Sequence, residues 1–192
     1  MYILIFKSKD LVEKRRPGVD ELFNEAIRRM ETKARGFEIR LAREEDLSSV
    51  RDLNYTCLPE NYPFEFFYEL WKNHGKSFYV SQSPDNKIVG YVMCRVEIKP
   101  GFYKKLLVKS GHIVSLAVLH DYRRIGLGYA LMAYAMKSLY NEYGCEETYL
   151  EVRVSNTPAI NLYEKLGYEK IRVIKNYYLD GEDAYLMARP LP

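Results

Sequence analysis

His112-Ile-Val-Ser-Leu-Ala-Val118-Leu-His-Asp-Tyr-Arg123-Arg124-Ile-Gly126-Leu-Gly128 is an apolar run that passes through two arginines and two glycines into a helical pattern starting at Leu127. A strand that ends at a helix N-terminus presents free backbone N–H groups there, and flanking guanidinium groups turn that end into a cradle for phosphate. The stretch predicts a site for a phosphorylated cofactor, and with it an enzyme.

Downstream of the cradle the periodicity gives a helix over 127–143, a strand over 148–154, a short helix over 157–166 and two closing strands around Asp180-Gly181. Upstream, 37–42 alternates as a strand and 44–57 and 64–73 read as helices. Strands over 77–81 and 88–98 flank a Pro84-Asp85-Asn86 turn. The order implies a mixed, mostly antiparallel sheet of six or seven strands flanked by helices, with a parallel crossover around the long helix.

Residues 1–36 differ in character and read as an N-terminal extension to a domain spanning 37–192. Asp20 is placed to cap a helix whose apolar positions Leu22, Phe23, Ala26, Ile27 and Met30 share one face, with Arg28, Arg29, Lys33 and Arg35 toward its end and Gly36 as its stop. Such a helix either packs on the domain or a neighbouring chain, or serves as an arm that docks on a ribosome or auxiliary subunit.

Composition bounds the remaining possibilities. The 192 residues are 47% hydrophobic and 29% charged, enough for one sizeable core. The net charge of +3 is scattered, its densest groups being Lys14-Arg15-Arg16, Arg28-Arg29, Lys104-Lys105 and Arg123-Arg124, so no nucleic-acid stripe stands out. Cys57, Cys94 and Cys145 are odd in number and widely spaced, which argues against a disulfide framework or a zinc site and for a reducing, cytoplasmic setting. The apolar opening Met1-Tyr-Ile-Leu-Ile-Phe6 is too short for a signal core, and no stretch approaches the ~20 apolar residues of a membrane span.

Three motifs compete for the Arg-Arg-Ile-Gly-Leu-Gly turn. A Walker loop needs Lys-Ser or Lys-Thr after its last glycine, and none follows. A dinucleotide fingerprint needs a small residue three positions beyond Gly128, where Leu131 stands. The third pattern, [Q/R]-x-x-G-x-[G/A], is matched at Arg123, Gly126 and Gly128, and it is the acetyl-CoA signature of the GNAT acetyltransferases. The segment from Tyr149 through Glu151, Asn156 and Tyr163 to Gly167-Tyr168 resembles the second half of that cofactor site in RimI-type enzymes. Leu58-Pro-Glu60-Asn-Tyr62-Pro63, Gly111-His112 and Asn176-Tyr177-Tyr178 through Tyr185 look like the archaeal N-terminal acetyltransferases related to RimI and to the NatA catalytic subunit.

The resemblance implies a GNAT fold whose central parallel strands splay at the cofactor cleft, and transfer of acetyl from acetyl-CoA to protein N-termini by direct attack, broadly on Ser-, Ala-, Thr- and Met-starting chains. A GNAT acting on lysines or small amines, or a non-catalytic CoA-binding scaffold, would carry the same cofactor motif. The implied cofactor residues are Leu116, Ala117, Val118, Arg123, Arg124, Ile125, Gly126, Leu127, Gly128, Tyr129, Asn156 and Tyr163. Glu151 and Glu60 are the implied bases, His112 joins Glu151 in holding a proton-relaying water, and Tyr163 protonates the thiolate. Glu60, Tyr62, Leu116, Glu151, Tyr177 and Tyr178 would line the peptide site. His112 reads as sharing its strand face with Val114 and Leu116, and Glu151 as standing opposite Leu150, Val152 and Val154. The mechanism requires no metal; His112 and Glu151 alone make at most an adventitious two-ligand site.

Overall fold

The computed structural model describes residues 16–191; the opening apolar run, Lys14 and Arg15 lie outside them. Seven strands form one sheet: β1 (Glu38–Leu41), β2 (Tyr79–Gln82), β3 (Ile88–Pro100), β4 (Leu107–Val118), β5 (Glu147–Arg153), β6 (Glu169–Ile174) and β7 (Ala184–Pro190). Their order is β1-β2-β3-β4-β5-β7-β6, and every neighbouring pair is antiparallel except β4 with β5. The expected mixed sheet is present with its parallel pair at the centre.

Helices cover both faces. On one, α2 (Leu47–Cys57) and α3 (Phe64–His74) bury Leu47, Val50, Leu53, Phe67 and Leu70 against Val80, Tyr91 and Met93. On the other, α4 (Leu127–Asn141) and α5 (Thr157–Lys165) pack on Val89, Val92, Cys94, Leu150 and Val152. The alternation of β3 between these clusters is what a strand buried on both faces requires.

α4 is apolar nearly all round, with Leu127, Tyr129, Ala130, Leu131, Met132, Ala133, Ala135, Met136 and Leu139 buried. A single sheet face cannot cover such a helix. Its outer side is covered by α1 (Val19–Lys33), which contributes Val19, Leu22 and Ala26 to the same cluster. The N-cap of α1 is Gly18, and Asp20, the expected cap, lies inside the first turn. Its carboxylate there favours the positive end of the helix dipole without capping an N–H. The buried Arg189 guanidinium donates to Pro17 O, Leu166 O and Pro190 O, tying the lead-in to α1 to the end of α5 and to β7.

Strand β4 departs from simple alternation. Met93 pairs with Ser115 and Cys94 with Ile113, so Val114 is an extra residue, a β-bulge. A one-residue slip exchanges the two faces of everything that follows. Val114 packs on the α2–α3 side, whereas Leu116 and Val118 pack on the α1–α4 side. The expectation that His112, Val114 and Leu116 share one face is therefore corrected: Leu116 points to the opposite face.

At the edge of the sheet, Arg40 makes a two-pronged contact with Asp46, Nη1 to Oδ2 at 2.6 Å and Nη2 to Oδ1 at 2.9 Å, joining β1 to the turn before α2. Burial raises the Asp46 carboxyl, but hydrogen bonds from Arg40 and the Arg43 N–H outweigh it and hold it below its ordinary value. A depressed carboxyl contributes stability above the unfolded pKa of ~3.9 that is lost as pH falls through the folded value. Asp46→Asn is expected to lower the unfolding free energy by about 2–3 kcal/mol at pH 7, since it strands a buried guanidinium. Urea denaturation at pH 7 and pH 3 checks this; the gap between variant and parent should narrow at pH 3, and equal stability at pH 7 contradicts it.

Candidate active site

The parallel ladder between β4 and β5 consists of Ser110↔Glu147, Gly111↔Thr148 and His112↔Tyr149. Beyond that point β4 runs on to Val118 and β5 to Arg153 without pairing. Two strands that part expose backbone N–H and C=O groups along both inner edges, and buried groups of this kind need partners. The parting opens a cleft of about 990 Å³. It is lined from one end to the other by Arg124 and Gly126, by Leu116, Ala117 and Val118, by His112 and Glu151, and by Tyr62, Tyr177 and Tyr178.

The turn from β4 into α4 closes one end. Arg124 adopts φ +69° and Gly126 φ +103°, so successive N–H groups turn toward a common point at the start of α4. The Gly126 conformation disfavours any residue with a Cβ. Such a nest at a helix N-terminus fits a pyrophosphate. Arg123, Arg124, Gly126, Gly128 and Tyr129 line the cleft as expected, but the Arg123 Nε donates to Val118 O at 2.8 Å, so part of its guanidinium serves the loop itself. Ile125 and Leu127 do not line the cleft: Leu127 is buried in the core and Ile125 packs on it, which leaves only their backbones to face a ligand. Asn156 caps α5 through Oδ1, accepting from the Ala159 N–H at 3.2 Å, and its Nδ2 is the part left for the cleft.

At the centre, His112 Nε2 and Glu151 Oε2 are 2.7 Å apart, with side chains only 9% and 13% exposed. A carboxylate on Nε2 selects the Nε2–H tautomer. The ring is stacked on Tyr149 at 4.4 Å and 3°, and the Tyr149 hydroxyl donates to Glu97. Glu97 in turn is 2.7 Å from the Arg95 Nε. His112 Nδ1 is buried and has no hydrogen-bond partner among the described residues, so an acceptor is available to a water or ligand N–H. Tyr163 lines the cleft from α5, and burial pushes its phenol up to about 12.

The far end is acidic and aromatic. Arg153, at the end of β5, donates to Glu60 from Nη2 at 2.6 Å and from Nε at 3.1 Å, and to Asp180 and Glu182 from Nη1 at 2.7 Å each; its guanidinium lies 4.1 Å from the Tyr178 ring centroid. One cation thus fastens the 58–62 loop and the β6–β7 turn to the sheet. Glu60 is consequently engaged in an ion pair, whereas Glu151 faces an imidazole. Tyr62 stacks on Phe66 at 4.6 Å, and the Tyr177 and Tyr178 rings meet edge to face at 5.0 Å. Burial first, and the Glu151 charge second, push the Tyr177 phenol up to about 12.

Every other site residue singled out from the sequence lines this one cleft. The sequence reading passed over Arg95, Arg153, Lys165, Arg29 and Lys33, which also line it. The acidic partners of Arg153 come from two distant segments, Glu60 from one loop and Asp180 and Glu182 from the β6–β7 turn, and Arg29 and Lys33 belong to the extension. Only tertiary packing brings them in. Among the described residues no group of three or more His, Cys, Asp or Glu side chains could hold a metal ion.

Residues 47–168 match the acetyltransferase (GNAT) family model. The chain is similar to an N-alpha-acetyltransferase of Saccharolobus solfataricus, 53% identical over 161 residues that make up 83% of this chain and 96% of the relative. Among solved structures it resembles a chain of a NatC complex bound to Gag peptide and CoA, with TM-score 0.74, 25% identity and coverage of 82% of this chain and 100% of that one. It also resembles Arabidopsis thaliana Naa50 in complex with the bisubstrate analogue CoA-Ac-MVNAL, with TM-score 0.69, 27% identity and coverage of 81% and 99%.

The Arg153 contacts have a measurable consequence. Replacing Arg153 by Met should speed amide hydrogen exchange in 58–62 and 176–182 by roughly tenfold, equivalent to ~1.4 kcal/mol of local opening free energy, and leave the β5–β7 ladder unaffected. Exchange monitored by mass spectrometry tests this, and unchanged protection of both loops contradicts the fastening role.

Proposed function

Because the chain belongs to the acetyltransferase (GNAT) family, we propose that it is an N-alpha-acetyltransferase whose reaction centre is the His112–Glu151 pair where β4 and β5 part. The observation that carries this reading is the position of that pair between two ends of opposite character. Arg29, Arg123 and Arg124 gather at the phosphate-cradle end, and Glu60, Asp180 and Glu182 around Arg153 at the other. An anionic cofactor and a cationic peptide N-terminus are drawn to different ends of one cleft.

Acetyl-CoA supplies the acetyl thioester; the work of the chain is to orient it and to move a proton. The unpaired amides of Leu116–Val118 are positioned to bond the pantetheine arm and to donate to the thioester oxygen as charge develops on it. Glu151 takes the proton from the attacking nitrogen, directly or through a water that His112 Nδ1 helps to hold, while the imidazole keeps the carboxylate in place. An α-amine with pKa ~7.7–8.0 is deprotonated at neutral pH at a cost about 3.5 kcal/mol smaller than a lysine amine at ~10.4, so this modest base suffices for an N-terminus. We assign Glu60 to substrate selection through its contact with Arg153, and Tyr62, Tyr177 and Tyr178 to walls that accept an extended N-terminus and exclude a lysine arm.

Attack forms the C–N bond, the C–S bond breaks, and the electron pair leaves on sulfur. Burial pushes the Tyr163 phenol up to about 12, so at neutral pH it carries its proton and can donate to that sulfur. We assign Tyr163 to that sulfur as the donor of a hydrogen bond and, as the thiolate forms, of its proton.

Relatives assemble into complexes such as NatC; an auxiliary subunit or a ribosome is a fitting partner here as well. No described helix is long and apolar enough to cross a membrane, and the three free cysteines accord with a cytoplasmic setting. We further propose broad acceptance of Ser-, Ala-, Thr- and Met-starting N-termini.

Three measurements test the reading. With acetyl-CoA and a panel of peptides, N-termini should be acetylated and N-blocked lysine peptides should not; the reverse preference overturns it. Glu151→Gln should lower kcat by about 10²–10⁴-fold and flatten the acid limb of the pH–rate profile; an unchanged kcat sinks the assignment. Tyr163→Phe should cost roughly 10–100-fold in kcat with little change in acetyl-CoA binding, and an equal loss of binding would assign it a packing role.

A further inference from the structure

The helix that precedes the family-matching segment reaches the cofactor end of the cleft. α1 runs along α4, with Phe23 against Tyr134 at 4.6 Å and Lys137 Nζ 3.8 Å from the Phe23 ring centroid. Further along it, the Arg29 guanidinium lies 4.2 Å from the Tyr129 ring centroid. The approach is close at the phosphate loop itself: a Cβ at Gly126 would stand 3.5 Å from Arg29 Cβ. One turn later on the same helix face comes Lys33, and both side chains line the cleft together with Arg123, Arg124 and Gly126. The Arg29 Nε is held by Glu25 Oε1 at 2.8 Å, one turn earlier, which fixes the side chain over Tyr129.

CoA brings two kinds of phosphate to this end. Its pyrophosphate suits the amide nest at Arg124–Gly126, where N–H groups and the α4 dipole meet it. Its 3′-phosphate is a monoester of about −1.5 to −2 charge that needs mobile or forked cations. Arg123 is partly spent on Val118 O. Arg29 and Lys33 are the cations that α1 adds at the rim, and Arg29 is preorganised by its ion pair and its stacking.

We infer that α1 completes the cofactor site of this protein, with Arg29 and Lys33 binding the 3′-phosphate of CoA. The inference rests on the acetyl-CoA reading above and adds a subsite built by the N-terminal extension.

Titration calorimetry of the full chain with CoA and with 3′-dephospho-CoA separates the two. The parent should bind CoA at least about tenfold more tightly than dephospho-CoA. The double variant Arg29→Gln, Lys33→Gln should lose that preference by weakening CoA alone, and Arg28→Gln, on the exposed side of α1, should keep it. Unfolding temperatures of all variants, measured alongside, exclude a folding defect. A double variant that retains the parent's preference, or that loses affinity for both ligands equally, overturns the 3′-phosphate subsite while leaving the acetyl-CoA reading standing. A parent that binds neither ligand overturns both.

Discussion

The architecture turns on how early the parallel ladder stops. β4 and β5 share three rungs ending at His112↔Tyr149, and the cleft opens where the fourth would have been. Continued pairing would satisfy the inner edges and close the sheet; parting leaves backbone donors and acceptors that a ligand must satisfy instead. The last rung also places the proposed reaction centre, because His112 belongs to it and Glu151 stands two residues beyond its partner Tyr149. Below the rung the strands are locked together from behind: Ser110 Oγ donates to Glu147 at 2.8 Å, and the same carboxylate accepts from the Phe102 N–H.

Around that opening the sequence distributes charge with little waste. Three carboxylates share Arg153, so that end of the cleft stays acidic although its walls are fastened by a cation. At the other end the backbone supplies much of the attraction through the left-handed residues Arg124 and Gly126. The His112 ring is held on two sides, by Glu151 at Nε2 and by Tyr149 beneath, and Tyr149 is anchored through Glu97 to Arg95. An imidazole held in this way keeps its orientation as a proton moves past it.

What the sequence disclosed was whatever is local. The spacing Arg123-x-x-Gly126-x-Gly128 requires only a turn and a helix start, and the alternation of Leu150, Glu151 and Val152 requires only a strand; both were legible. Gly18 and Asp20 both suit a helix start, and the cap falls on Gly18 because the packing of α1 on α4 decides where the first turn begins. Leu116 lies on the face opposite to the one simple alternation predicts, because a bulge at Val114 has no reliable mark in composition and is set by register against Met93 and Cys94. The four-residue hub of Arg153, and the arrival of Arg29 at Gly126, join segments far apart in the chain, and no periodicity carries that information.

The bulge has an implication for how this strand can vary. Because Val114 shifts the parity of β4, the segment before it and the segment after it obey opposite inside–outside rules. Loss of one residue at the bulge would restore uniform alternation with Leu116 still opposite Val92 and Val118 still opposite Gly90, so the residues on the α4 side would keep their places. Changes of length in β4 are thus absorbed at the bulge itself or at the far end of the strand, in the 101–106 connection, where the sheet has no cleft to keep in register.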